Sequence, residues 1–263
     1  MTRLLSLLFH DLYRHDPLGS GFAGVIADRY KLPLAEFDAQ VDRLAQVRDD
    51  APIRVTTSSP PSDGVPFVIT VDDGGVSYYT LLAGRLEQRG WRGHCLVTTG
   101  QIGRPGFVNA AQIRELHARG HVIGTHSVSH PARFAACSWE RMVSEWRDSR
   151  KTLQDILGQD VTVGSVPGGY FSRRVAQAAD AAGLAVLFTS EPETAVRRVG
   201  ACSVIGRFTV RRGCAPNFCA DLARLRTTLR AREWSVWNAK KVAKGVLGAG
   251  YPQVTQWISR VSQ

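Results

Sequence analysis

Cysteine is scarce and irregularly placed in this chain of 263 residues. The five cysteines are an odd number and include no Cys-x-x-Cys pair, which is not typical of a disulfide framework or of a thiolate zinc site. Free thiols suit a reducing compartment. The cysteine content therefore predicts a cytoplasmic protein.

Long apolar runs are also missing. No run approaches the ~18–20 residues of a membrane-spanning helix. The apolar stretch 4–9 ends at His10 and is shorter than the ~7–15-residue core of a secretory signal. Recognition-helix and zinc-finger patterns are absent, so nucleic acid is not an expected partner. These absences leave a soluble globular protein as the expectation.

Positive charge dominates the ionisable residues, with a formal net charge of +10. A basic surface attracts anions such as a glycan or a membrane face, although a solvated basic face explains the charge equally well. Basic and aromatic residues near the C-terminus can hold a protein at an anionic membrane; they are Trp234, Trp237, Lys240, Lys241, Lys244, Trp257 and Arg260. Because Gly245, Gly248 and Gly250 interrupt this region, a packed cap without one long helix is the alternative.

Apolar strand-like runs alternate with segments of helical periodicity along the chain. The predicted strands cover residues 4–9, 67–71, 94–98, 121–125, 162–166, 185–189 and 203–210. The predicted helices cover residues 33–45, 78–89, 109–119, 138–157, 172–182 and 217–230. Such alternation predicts βαβ units in a deformed or incomplete (β/α) barrel of about seven parallel strands.

We expect one domain over residues 1–263. A strand and a helix within residues 1–60 close the barrel, residues 66–215 form the catalytic core, and residues 216–263 form a basic helical extension. The stretch 49–66, rich in Pro, Ser, Thr and Asp, is predicted to be a surface connection.

Two groups of potential metal ligands follow predicted strands. Asp72 and Asp73 come directly after strand 67–71, and His126 and His130 follow strand 121–125. Each pair alone is also typical of an ordinary turn or of surface histidines. Together they lie at carboxyl strand ends, where such barrels carry their active sites. One carboxylate and two imidazoles make a three-ligand metal site, and the second carboxylate is free to act as a base.

Two local structures are expected around these motifs. The two histidines converge if residues 126–130 form one helical turn. After strand 162–166, Gly168 and Gly169 allow close backbone approach to a ligand, and a backbone N–H there can donate to an oxyanion. A simple strand-to-helix turn is the alternative for this second segment.

The segments T-V-D-D-G (70–74), H-S-V-S-H (126–130) and V-P-G-G (166–169) resemble, in order and spacing, the first three motifs of the polysaccharide deacetylases of carbohydrate esterase family four. The resemblance covers roughly residues 66–192. It implies a deformed α/β barrel, a divalent metal and hydrolysis of an acetamide or acetate ester. The implied roles are a base at Asp72, an oxyanion donor at Gly168 and metal ligands at Asp73, His126 and His130.

The ligand types favour zinc as the implied metal, with cobalt, nickel, manganese and iron as alternatives. Two features depart from the family pattern. Ser165 stands where the third motif usually has an arginine that orients the base, and Arg207 and Arg211 are the candidates to replace it.

No histidine follows His130, whereas the family has a late Leu-x-His whose histidine is the general acid. Leu8-Phe9-His10 fits that motif and resembles the circularly permuted arrangement of poly-N-acetylglucosamine deacetylases. We therefore expect His10 to be the general acid; a strand-end histidine bound to a loop carbonyl is the alternative.

These features predict a metal-dependent hydrolase that removes an acetyl or similar acyl group from an amino sugar or glycan. The expected substrate is an acylated saccharide or a lipid-linked sugar. A catalytically inactive carbohydrate-binding protein on the same scaffold is the alternative, and the oligomeric state is not predicted.

Overall fold

The computed structural model describes residues 2–57 and 64–247, without the side chains of residues 240–247. Eleven strands occur in that part of the chain. They are β1 (Leu5–Phe9), β2 (Leu12–Tyr13), β3 (Leu32–Pro33), β4 (Phe67–Val71), β5 (His94–Val97), β6 (Val122–Thr125), β7 (Val163–Ser165), β8 (Val186–Phe188), β9 (Val196–Val199), β10 (Cys202–Ile205) and β11 (Phe208–Thr209).

Nine of these strands form one curved sheet in the order β11-β1-β4-β5-β6-β7-β8-β10-β9. Every neighbouring pair is parallel except β10 and the edge strand β9. The remaining strands, β2 and β3, pair separately. This architecture confirms the incomplete barrel. The sequence pattern did not predict β9, and the predicted strand 203–210 is divided into β10 and β11.

The helices cover the outside of the sheet. They are α1 (Val25–Asp28), α2 (Leu34–Ala45), α3 (Ala83–Glu87), α4 (Ala110–Ala118), α5 (Trp139–Leu157), α6 (Arg173–Ala181), α7 (Phe218–Ala223) and α8 (Thr227–Leu247). Asn109 caps α4 in a capping box and Ser138 caps α5, so the predicted starts of both helices are confirmed. None of the helices in the described ranges has the length and apolarity to cross a bilayer.

Two predictions for the C-terminal region were wrong. The predicted helix 217–230 is broken at Leu225, whose positive φ of 56° ends α7. Gly245 does not end the next helix, because α8 continues to Leu247. Trp257, Arg260 and the side chains of Lys240, Lys241 and Lys244 lie outside the described residues, and so do Gly248 and Gly250.

The N-terminal strand lies inside the sheet and not at its edge. β1 pairs with β4 from Leu5↔Phe67 to Phe9↔Val71, and with β11 on its other side. The residues before β1 also bond to the segment before β9, through the N–H of Leu4 to the carbonyl of Thr194. The chain start therefore ties together the two ends of the curved sheet.

Residues 52–56 enclose the amino ends of the strands. Val55 is buried among barrel-interior side chains, so the prediction that the whole of 49–66 is a surface connection was wrong at this residue. His94 at the start of β5 holds it in place. Its Nε2 accepts the N–H of Val55 at 3.1 Å, which leaves Nδ1 to donate to the carbonyl of Ile69 at 3.3 Å.

Burial of His94 predicts a pH dependence of folding stability. Desolvation lowers the pKa of His94 from 6.5 to about 4, so the unfolded chain binds more protons between those two pH values. The free energy of unfolding should then fall by about 1.4 kcal/mol per pH unit from this group as the pH drops from 6.5 towards 4.

Urea denaturation of the wild type and His94→Gln between pH 7.5 and 4.5 measures this contribution. The Gln side chain can still donate and accept but does not titrate there, so its stability curve should be shallower. The exposed His15→Gln change is the control and should follow the wild type. Equal slopes for His94→Gln and the wild type would contradict the assignment.

Candidate active site

Strand alternation places the predicted site residues on one inner face. Leu4, Val68 and Val163 belong to the cluster that fills the barrel. His10 follows Leu4, Asp72 follows Val68 and Ser165 follows Val163 by an even number of residues along the same strand direction. His126 likewise follows Val122, another member of this cluster, by an even number of residues. Because side chains two apart in a strand share a face, all four point towards the carboxyl end of the interior.

Asp73, His126 and His130 form a compact group of potential ligands. Oδ1 of Asp73 lies 3.5 Å from Nε2 of His126 and 3.6 Å from Nε2 of His130. The ligand atoms of the three residues lie within 4.8 Å of one another. One carboxylate oxygen and two imidazole nitrogens at this separation can bind a single divalent ion.

Unusual backbone conformations bring these side chains together. Asp73, Ser127 and His130 have φ values of 75°, 68° and 53°. These values lie in the left-handed region, which is unfavourable for residues other than glycine. The expected helical turn over residues 126–130 is not present, since this segment contains no helix. The two histidines converge through a strained loop, and strain of this kind is typical of functional sites.

Hydrogen bonds fix the orientation of His126. Its Nδ1 lies 2.6 Å from Oγ of Ser165 and 3.1 Å from the Ser165 carbonyl. Because the Ser165 hydroxyl donates to Oδ1 of Asp72 at 3.0 Å, Nδ1 of His126 is assigned as the donor to Ser165. Burial lowers the pKa of His126 to about 3. The ring is therefore neutral, with the lone pair of Nε2 directed at the ligand group.

Asp72 is held by a buried arginine. Both carboxylate oxygens accept hydrogen bonds of 2.7 Å from Arg207, whose Nε donates to the carbonyl of Thr189 at 2.8 Å. Burial alone would raise the pKa of Asp72, but the charge and hydrogen bonds of Arg207 hold it well below the usual range. Arg207 thus occupies the position expected for the missing arginine. Arg211 does not, because it lies half-exposed, 3.9 Å from Glu233.

The charges of the site favour a bound cation. Asp11, Asp72 and Asp73 are all buried there. Burial, followed by the charges of Asp11 and Asp72, raises the pKa of Asp73 well above the usual range. A divalent ion would relieve this repulsion. The donor types, their separation and the surplus of negative charge therefore fit a metal held by Asp73, His126 and His130.

Glu145 on α5 supports the histidine loop, although no motif in the sequence marks this residue. Its Oε2 accepts the N–H groups of Val128 and Ser129 at 2.9 and 2.8 Å, and its Oε1 accepts the Ser129 hydroxyl. The hydroxyl of Ser127 in turn accepts the N–H of His130. The carboxylate therefore anchors the strained loop between the two imidazoles from behind.

Gly168 lies against the histidine loop in a short helical turn, Pro167–Gly169, after β7. It has a φ of 68°, and a Cβ at this position would lie 2.7 Å from the carbonyl oxygen of Ala132. A side chain larger than glycine would therefore push this turn away from the segment that follows His130.

His10 lies beside Asp72, because Phe9 pairs with Val71 in the sheet. Its ring packs on Tyr30 at 4.9 Å, and its Nδ1 is buried without a hydrogen-bond partner among the described residues. Burial lowers its pKa to about 4, although the charge of Asp72 acts in the opposite direction. The ring is therefore neutral near pH 7 in the free protein.

Comparison with known proteins relates this region to a known family. Residues 60–187 match the family model described as polysaccharide deacetylase. The chain is 25% identical over 176 residues to the Bacillus subtilis protein YxkH, whose name assigns it only provisionally to the polysaccharide deacetylases. That match covers 65% of this chain and 62% of YxkH, so the chain spans less than two thirds of that relative's length.

Solved structures share the fold. The Streptococcus pyogenes deacetylase PplD superposes with a TM-score of 0.68 at 18% identity, over 82% of this chain and 96% of that one. IcaB from Ammonifex degensii superposes with a TM-score of 0.65 at 22% identity, over 85% of this chain and 97% of that one. At these identities the superpositions establish a common architecture.

Loss of Arg207 should leave Asp72 buried without its counter-charge. We expect Arg207→Met to lower the free energy of unfolding by about 3–5 kcal/mol at neutral pH. The unpaired Asp72 then has a raised pKa and takes up a proton as the pH falls, so the deficit should shrink between pH 7 and pH 4.5. Chemical denaturation at both pH values measures it. The half-exposed Arg211→Met control should stay within about 0.5 kcal/mol of the wild type; an equal loss there would refute the special role of Arg207.

Removal of Glu145 should loosen the loop that carries the histidines. We expect Glu145→Ala to weaken binding of a divalent metal about 10–100-fold, as is typical when a group that orients metal ligands is lost. Competition with a chromophoric chelator measures the affinity. Glu140→Ala, an exposed change on the same helix, is the matched control, and unchanged affinity in Glu145→Ala would argue against this anchoring.

Proposed function

We propose that this protein is a metal-dependent deacetylase that hydrolyses the N-acetyl group of an amino sugar within a glycan. The observation that carries the proposal is the grouping of Asp73, His126 and His130 beside an ionised aspartate, Asp72, that is paired with an arginine. The match of residues 60–187 to the family model supports the deacetylation of a glycan. The donor set suits zinc, and cobalt, nickel, manganese and iron also accept such ligands.

Each residue has a distinct task in the proposed mechanism. A metal held by Asp73, His126 and His130 would polarise the acyl carbonyl and make a water molecule more acidic. Asp72, kept ionised by Arg207, accepts the proton of the attacking water. The N–H of Gly168 donates to the oxyanion that develops on the carbonyl. His10 delivers a proton to the departing nitrogen.

His10 fits its proposed role less closely than the other residues fit theirs. Its place beside Asp72 suits a proton donor, but its pKa of about 4 means that it must take up a proton when substrate binds. The negative charge of Asp72, which raises the pKa of His10, favours that uptake. An amide needs such a donor more than an ester does, because an amine leaves as the neutral molecule only after protonation.

The alternative of an inactive carbohydrate-binding protein rested on Ser165 in place of an arginine. Arg207 pairs with Asp72 from the link between β10 and β11, and Ser165 itself donates to Asp72. The presence of Ser165 in place of an arginine is therefore better explained by Arg207, which supplies the arginine from another part of the fold. We propose a role in polysaccharide or glycolipid biosynthesis, with an acylated saccharide or lipid-linked sugar as substrate.

Variants of the candidate residues separate metal binding from chemistry. Zinc-loaded protein should release acetate from N-acetylglucosamine or its oligomers. His126→Ala should lose both the metal and turnover, whereas Asp72→Asn and His10→Ala should keep the metal. The two latter variants should lose about 10²–10⁴-fold in turnover, the usual contribution of a general base or acid.

Metal content by elemental analysis and acetate by a coupled assay are the two readouts. The exposed His15→Ala change is the control and should alter neither. Full turnover in metal-loaded His10→Ala would exclude His10 as the acid. Full metal content in His126→Ala would remove the basis of the proposed metal site.

A further inference from the structure

A concave site lies outside the candidate active site, against α8. A cleft of about 230 Å³ separates α8 from the segment between β8 and β9. This volume is below the ~300–1,000 Å³ of pockets that enclose drug-sized ligands, and it suits a ligand the size of one sugar ring. Two indole rings and four polar side chains line it: Trp234, Trp237, Glu191, Glu193, Arg197 and Asn238.

Two residues of the cleft lining contact segments that carry residues of the candidate active site. The indole of Trp237 lies 3.1 Å from the position that a Cβ of Gly169 would occupy, directly after the proposed oxyanion donor. The carbonyl of Glu191 accepts the N–H of Arg207 at 2.8 Å. The lining of the cleft is therefore packed against the turn that contains Gly168 and the link that contains Arg207.

The lining has the chemistry of a saccharide site. Indole faces pack against the apolar C–H face of a sugar ring, and carboxylate, guanidinium and amide groups bind its hydroxyls. Arg197 is held by Glu193 at 2.6 Å, so two of these polar groups are already oriented. Trp234 is 56% exposed, so its indole ring is accessible to a ligand.

We infer that this cleft, built by Trp234 and Trp237 of α8, binds a sugar unit of the substrate adjacent to the one that is deacetylated. The inference rests on the proposed function for the identity of the reaction and adds to it a second sugar-binding site on α8. Binding energy at the cleft then lowers the barrier for oligomers but contributes nothing for a monosaccharide.

The test compares N-acetylglucosamine with its β-1,4- and β-1,6-linked tetramers. The ratio of kcat/KM for a tetramer to that for the monomer is measured in the wild type, Trp234→Ala and Trp234→Phe. We expect a wild-type preference for one tetramer that falls about tenfold in Trp234→Ala, the equivalent of about 1.4 kcal/mol. Trp234→Phe should recover most of it, because phenylalanine still offers an aromatic face. Lys151→Ala, an exposed change on α5, is the control.

Binding is measured separately by calorimetric titration of chelator-treated protein with each tetramer. We expect affinity to fall about tenfold in Trp234→Ala and to recover in Trp234→Phe. If the wild type binds a tetramer through Trp234 but releases no acetate, the cleft stands and the deacetylase proposal fails. If acetate is released but Trp234→Ala changes neither the ratio nor tetramer binding, the cleft inference is overturned. Equal losses for monomer and tetramer, or binding of neither tetramer, would also overturn it.

Discussion

The buried ion pair between Asp72 and Arg207 connects parts of the chain that are 135 residues apart. Asp72 follows β4, and Arg207 lies in the link between β10 and β11. Because both side chains are almost fully buried, neither charge is tolerable without the other. The pair also keeps Asp72 ionised and fixes its plane, and Asp72 in turn accepts the hydroxyl of Ser165, which orients His126. Barrel closure and the arrangement of the site thus depend on one contact.

The ligand group depends on a different kind of support. Asp73, Ser127 and His130 adopt left-handed backbone conformations, each of which costs free energy relative to an extended or helical residue. The hydrogen bonds from residues 127–130 to Glu145 and within the loop offset that cost. The two histidines therefore owe their convergence to tertiary packing, and the loop alone would not keep this shape.

Much of the fold was predictable because buried parallel strands and amphipathic helices leave strong periodic patterns. β4 was predicted to the residue, and α2, α4 and α5 to within one or two residues. Strand β9 was missed because it is a half-exposed edge strand containing Arg197 and Arg198, without an apolar run. The break at Leu225 was missed because no glycine or proline marks it.

The candidate site was predictable where its residues lie next to strand ends. Period-two alternation explains why His10, Asp72 and His126 share a face, and family motifs supplied their proposed roles. Glu145 and the choice between Arg207 and Arg211 were not predictable from local pattern. Both depend on contacts between residues that are far apart in sequence, and one arginine among many carries no distinguishing signal until the strands are in place.

The position of β1 between β4 and β11 has a consequence for how the molecule is assembled. β1 is synthesised long before β11, so it has one of its two neighbours only after residues 208–209 have been made. Pairings that span most of the chain slow folding, because the chain loses conformational entropy on closing so large a loop before the stabilising contacts form. The nascent chain therefore carries an unfinished barrel through most of its synthesis, with an unpaired side of β1 open to other strands.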